Sequence, residues 1–178
     1  MTGSLVIGID PGVKSAVSLF HNGTFLAVEY VEPRNLQLWL LDILTTHHLE
    51  QDYWIGKLKV SAFIERPYLA SYKGKYGETQ HNPRNLINQS EVIGRWKERL
   101  EDIAAGVQEV FTDQWYCAVC RGIRADKRVK RKIQSLFYAG AVLGQKIIDH
   151  NLADALNIGQ YGVGQVHIIK IKESANGM

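Results

Sequence analysis

Cysteine and proline are scarce in this sequence and long apolar runs are missing, and each shortage removes a class of protein. Two Cys and four Pro in 178 residues leave no disulfide scaffold and no collagen-like or proline-rich chain. The longest apolar stretches, around Leu36 to Leu44 and Val60 to Ile64, are short or interrupted by polar groups, well under the ~20 residues that span a membrane. Met1 to Asp10 lacks the basic start, apolar stretch and small-residue cleavage site of a secretory leader, so the expected location is cytoplasmic, without membrane association. Internal repeats, low-complexity tracts and linkers are also missing. What is present, 46% apolar residues with 10% aromatics, suits a single globular domain over residues 1–178. A chain of this length buries roughly 70% of the surface its unfolded form exposes, enough for a core without staples.

Charge is modest in total and uneven in placement. Between Arg121 and Lys132 lie seven Lys or Arg against the single Asp126, a net +6 that leaves −3 on the rest of a chain whose total is +3. Such segregation fits a surface that meets a polyanion while carboxylates gather elsewhere.

Periodicity gives an order of elements. Leu5 to Ile9, Ser15 to Phe20 and Thr24 to Val31 read as an antiparallel meander, with Asn22-Gly23 supplying the left-handed angles of a tight hairpin. Pro33 opens an amphipathic helix carrying Leu36, Trp39, Leu40, Ile43 and Leu44 and ending near His47 and His48. Val60 to Ile64 is a buried strand ending at Glu65. Tyr68 to Pro83 is a loop whose Tyr, Gly and Lys suit ligand contact better than packing. A long helix runs from Arg84 to about Gln108, with Trp96 and Arg95 at least half exposed as a candidate dimer face. A short strand at Val110 to Thr112 follows, then a helix over Asp126 to Phe137 with Val129, Ile133, Leu136 and Phe137 inward. A helix over Asp149 to Gln160 has Gly159 near its end, and Gln165 to Ile171 reads as a further strand. The order β-β-β-α-β-α-β-α-α gives an α/β fold, a mixed sheet flanked by helices. Cys117 and Cys120, with no second Cys pair, read as packing residues.

Three carboxylates stand at or near the ends of apolar elements. Asp10 ends the first strand in Ile7-Gly8-Ile9-Asp10-Pro11-Gly12, Glu65 ends a later strand in Phe63-Ile64-Glu65-Arg66-Pro67, and Asp154 lies on the last helix in Leu152-Ala153-Asp154-Ala155-Leu156. Singly, each has a plainer role, as a turn residue, an ion-pair partner of Arg66 or a solvated helix residue. Gathered in one cleft they would repel unless a cation joined them, and hard oxygen donors select Mg2+ or Mn2+.

These three motifs, in this order, resemble those of the RuvC-type Holliday-junction resolvases of the RNase H-like superfamily, in particular the small phage versions. The resemblance spans most of the chain. It implies a mixed five-stranded RNase H-like sheet flanked by helices, and a homodimeric metal-dependent endonuclease that resolves four-way DNA junctions by paired nicks. Asp10, Glu65 and Asp154, with the residue three before Asp154, would hold two Mg2+ or Mn2+ ions. That fourth position is Asn151, neutral where the family has an acid, which implies weaker metal binding and slower cleavage, or an Asp replaced by design to trap substrate. His150 shares the face of Asp154 as well, whereas Asp149 fits an N-cap. The resemblance further assigns Tyr68 to stacking at the junction centre and Lys127 to a catalytic or phosphate-binding role. Lys73, Lys75 and Arg84 beside Tyr68, and Arg121, Arg124, Arg128, Lys130 and Arg131 in the basic run, would contact DNA phosphates. The alternatives are a nuclease for branched DNA in general or for RNA–DNA hybrids, and a junction-binding protein with little catalysis.

Overall fold

A computed structural model describes residues 3–12, 14–66, 72–73, 79–80, 83–103, 106–120 and 128–176; of these, 72–73, 79–80, 83–86, 128–130 and 169–176 enter as backbone alone. Strands β1 (Gly3–Asp10), β2 (Ala16–His21) and β3 (Thr24–Tyr30) form the expected antiparallel meander. Its hairpin turn is Asn22-Gly23, with φ of 49° and 85°, both in the left-handed region that a type I′ turn requires. The Asn22 side chain ties the turn back by accepting the Ser4 N–H at 2.9 Å.

Helices α1 (Leu36–Thr46) and α2 (Glu50–Trp54) carry the chain over to β4 (Leu58–Arg66), which pairs with β1 in parallel. A small pair of strands, β5 (Tyr72–Lys73) and β6 (Thr79–Gln80), and helix α3 (Pro83–Glu101) lead to β7 (Gly106–Phe111), parallel to β4. The main sheet therefore has five strands in the order β3-β2-β1-β4-β7. Helices α4 (Thr112–Val119), α5 (Arg128–Leu143) and α6 (His150–Asn176) follow. The outcome is the expected α/β architecture, a mixed five-stranded sheet between helices.

Alternation along the strands divides the core in two. Leu5, Ile7, Ile9, Val60, Ala62 and Ile64 point to one face, covered by Leu36, Leu40 and Leu44 of α1 and by Trp96 and Leu100 of α3. Val6, Phe20, Phe63 and Val110 point to the other, covered by α4, α5 and α6. On that second face α6 lies against the strands almost backbone to backbone. A Cβ added to Gly8 would stand 2.3 Å from the Gly159 nitrogen, one on Gly159 would stand 2.4 Å from the Phe20 ring, and one on Gly162 the same distance from Phe63. Ser18 locks the contact by donating its hydroxyl to the Ala155 carbonyl at 2.7 Å.

Several sequence expectations are corrected. Gly159 does not end a helix; it lies inside α6, which continues through residues 165–171 expected as a strand. The long helix ends at Glu101, and Val107 and Gln108 belong to β7, because their alternation matches the sheet. Thr112 starts α4, a helix the periodicity did not reveal. Trp96 is fully buried and donates its indole N–H to Ser15 Oγ at 3.0 Å, so it offers no dimer face; Arg95 is exposed. On α5, Ile133 and Phe137 are 59% and 71% exposed, against expectation, whereas Leu136 packs partly buried against the core as expected, Val129 enters as backbone alone, and Ser135 and Ala139 are buried. Cys120 is buried as expected and Cys117 is exposed. Among the described residues no helix is long and apolar enough to cross a membrane.

Gly8→Ala and Gly159→Ala are each expected to lower unfolding stability in urea by about 2–3 kcal/mol or more, since the groups in the way are backbone or a packed ring. Gly94→Ala, in open space on α3, should raise it by about 0.5–1 kcal/mol.

Candidate active site

Asp10 is the last residue of β1, and the turn beyond it closes with Gly12 N–H donating to the Asp10 carbonyl at 3.0 Å. Glu65 is its neighbour in β4: the registered pair Ile9↔Ile64 immediately precedes them. Parallel neighbours sit about 4.8 Å apart, and both carboxylates emerge on the face that carries Val6 and Phe63, the face under α6. Asp154 comes from above, on α6 between the buried Ala153 and Ala155. The glycine contacts described above bring that turn of helix down onto the strand ends.

Each of the three carboxylates is half-buried, and each is held above its ordinary pKa. Burial, followed by the charges of Glu65, Asp154 and Asp149, pushes Asp10 up to about 8, with Lys132 opposing. Burial lifts Asp154 to about 6 against its bond from Ser135 and the charge of Lys132. Glu65 is raised by burial, and also by Asp154, despite two donors on its Oε1: Thr112 Oγ1 at 2.6 Å and Trp115 Nε1 at 3.0 Å. The mutual effects place the three groups in one electrostatic cluster.

The candidates for a fourth ligand fare differently. Asp149 caps α6, accepting the N–H groups of Asn151 and Leu152 at 3.0 and 3.2 Å, and both its oxygens accept the Tyr30 hydroxyl at 2.8 Å. Burial disfavours its charge, but these donors and His150 outweigh it and hold the pKa below the usual value. Its carboxylate is thus occupied as the N-cap expected. Asn151 lies one turn before Asp154 with its side chain beside the Tyr30 hydroxyl. His150 Nδ1 is buried with no hydrogen-bond partner among the described residues.

Donor type and charge suit a hard dication: three clustered carboxylates carry more negative charge than Lys132 answers. Spacing is looser, because among the described residues no three His, Cys, Asp or Glu side chains are drawn together as a ligand group.

No protein-family model matches the chain, and no curated protein matches it. Solved structures do match, by shape, two of RuvC among them. RuvC of Thermus thermophilus in complex with Holliday junction substrate is similar over 93% of this chain and 96% of that one, at 14% identity and a TM-score of 0.58. A further T. thermophilus RuvC structure is similar over 92% and 96%, at 14% identity and a TM-score of 0.57. The fold is RuvC-like.

On this RuvC-like frame the expected DNA-contact residues are only partly placed. Tyr68, Lys75, Arg121, Arg124 and Lys127 lie outside the described residues. By backbone alone, Lys73 is in β5, Arg84 in the first turn of α3, and Arg128 and Lys130 in the first turn of α5. Arg131 donates to Asp113 at 3.2 Å and lies over the Tyr116 ring. Sequence reasoning missed Lys132 and Ser135 on α5, Thr112 and Trp115 on α4, and Tyr30 on β3. The i, i+3 spacing of Lys132 and Ser135 on an expected helix was a readable signal; Thr112 and Trp115 gave none, because α4 itself was not legible.

In the unfolded chain Asp10 titrates at its ordinary 3.8 and in the fold at about 8, so the native state binds the proton more tightly and stability falls as pH rises through that window. In EDTA, Asp10→Asn is expected to melt higher than the wild type at pH 8, by roughly 5 °C or more at ~2–4 °C per kcal/mol. The gap should shrink towards pH 4; a gap that grows on acidification would contradict the shift.

Proposed function

We propose that this protein is a divalent-metal-dependent endonuclease that resolves four-way DNA junctions by paired, symmetric nicks as a homodimer. One observation carries the reading: three carboxylates from the front, middle and back of the chain share one electrostatic cluster on a fold similar to RuvC over nearly its whole length. A phage origin rests on the motif resemblance alone.

Asp10, Glu65 and Asp154, with the Asn151 carboxamide oxygen, would hold Mg2+ or Mn2+, two ions in the full reading. Bound dications supply Lewis-acid stabilisation for the negative charge that develops on a phosphodiester under attack. The protein's own part is orientation and charge. Thr112 and Trp115 fix Glu65 by its Oε1, which leaves Oε2 for a cation. Lys132 tempers the repulsion between Asp10 and Asp154. Tyr68 would stack on bases at the junction centre. Lys73, Lys75, Arg84, Arg121, Arg124, Lys127, Arg128, Lys130 and Arg131 would hold the arms by their phosphates, so specificity would come from junction shape.

A second reading, a junction-binding protein with weak catalysis, is favoured by the neutral Asn151 and by the looseness of the carboxylate group. General branched-DNA and hybrid cleavage are separated from junction resolution by substrate choice.

End-labelled four-way junctions, flaps and RNA–DNA hybrids incubated with Mg2+ or Mn2+ test the first reading. Paired nicks are expected in the junction, none in EDTA, with about a thousandfold loss in Asp10→Asn, the rate equivalent of several kcal/mol of charge stabilisation. Cleavage confined to the hybrid would overturn it. Because a proton competes with the cation at Asp10, nicking at limiting Mg2+ should quicken from pH 6 towards pH 8. Asn151→Asp should increase the nicking rate; tight junction binding with no gain would favour the binding protein.

A further inference from the structure

The carboxylate of Asp154 meets a serine that has no evident reason to be where it is. Ser135 is 1% exposed on α5, a helix whose Ala139 belongs to the apolar core cluster. A hydroxyl buried in such a place is unfavourable unless it is fully hydrogen-bonded. Asn157, on α6 and wholly buried, supplies one partner: its Nδ2 lies 3.0 Å from the Ser135 carbonyl oxygen and 2.9 Å from Ser135 Oγ. A carbonyl can only accept, so the amide nitrogen, not Oδ1, must face it, and the orientation of the carboxamide is fixed. Nδ2 thus donates to Ser135, while Asn157 Oδ1 is buried with no hydrogen-bond partner among the described residues. With an acceptor site of Oγ taken, the single hydroxyl proton is directed to Asp154 Oδ1, in close contact.

The spacing reinforces this chain. Asp154 and Asn157 are i, i+3 on α6, and Lys132 and Ser135 are i, i+3 on α5, so Ser135 bridges the two α6 side chains while the charge of Lys132 acts on Asp154 from the same side of α5. Resting on the function proposed above, the geometry points to Ser135 as a positioning residue: held by Asn157, it engages Oδ1 of Asp154 and restrains the carboxylate that would serve as a metal ligand. Outer partners of this kind typically alter metal affinity by ten- to a hundredfold when removed.

Mn2+ binding to the full-length protein without DNA, measured by calorimetry, reads the effect directly. Ser135→Ala should weaken Mn2+ binding about tenfold or more, while affinity for a four-way junction in EDTA stays at the wild-type level and the metal dependence of nicking shifts to higher Mn2+ more than its maximum rate falls. Asn157→Leu, which keeps the hydroxyl but releases it, should shift Mn2+ affinity in the same direction by less, and serves if Ser135→Ala does not fold. Unchanged Mn2+ affinity in a folded variant with a lowered melting temperature would show Ser135 to be structural and overturn the proposal. Asp154→Asn in the same assay separates the two ideas: if it abolishes binding while Ser135→Ala does not, only the positioning role fails; if it has no effect either, the reading of the site itself fails.

Discussion

The nearness of α6 to β1 and β2 governs everything at the site. Two segments separated by most of the chain meet with backbone against backbone, because Gly8 below and Gly159 and Gly162 above contribute no side chain. Packed protein interiors do not leave such space unused, and a helix carrying ordinary side chains at these positions would ride one layer higher. Asp154 would rise with it, away from Asp10. The glycines therefore act on the carboxylate cluster without touching it, and the Ser18 bond to the Ala155 carbonyl holds the helix at that height.

What this closeness creates is electrostatically unfavourable on its own terms. Asp10, Glu65 and Asp154 are brought out of bulk water and towards one another, and all three titrate above their ordinary range. Donors answer part of the demand: Thr112 and Trp115 on Glu65, Ser135 on Asp154. Lys132 answers another part. The remainder is an unmet preference for positive charge, built in before any ligand arrives. The opposite face of the sheet offsets the strain, for there Leu5, Ile7, Ile9, Leu36, Leu40, Leu44, Trp96 and Leu100 pack with almost no exposure.

Signals that depend on neighbouring residues were legible in the sequence. The Asn22-Gly23 hairpin, the first three strands, the strand bearing Glu65 and a mixed sheet flanked by helices follow from local pattern and order, whereas the count of five strands and the grouping of Asp10, Glu65 and Asp154 come only from the motif resemblance. Signals that depend on tertiary contact were not. Gly159 reads locally as a helix stop, yet its purpose is close approach to Phe20 and Ser18. Val107 extends the apolar stripe of α3 by its spacing, yet it belongs to a strand whose partner is Ala62. Helix α4, eight residues long, is too short to show a stripe.

Helix α5 exposes Ile133 and Phe137 for a physical reason of a different kind. Its sequence has an apolar stripe through Ile133 and Phe137 and a polar one through Lys132 and Ser135, and periodicity says only that two faces exist. The inward choice follows the hydrophobic effect when the surface being covered is apolar. Here the surface that α5 packs on is chiefly α6, including the turn that carries Asp154. Covering the Asp154 carboxylate with Ile133 and Phe137 would bury charge against hydrocarbon at far greater cost than leaving two apolar side chains in water. The helix instead turns Ser135 inward beside Asp154, together with Ala139 and the partly buried Leu136 and Val142. A buried hydroxyl set among inward apolar residues answers a polar group on the facing helix, and that choice can be deduced only after Asp154 has been placed.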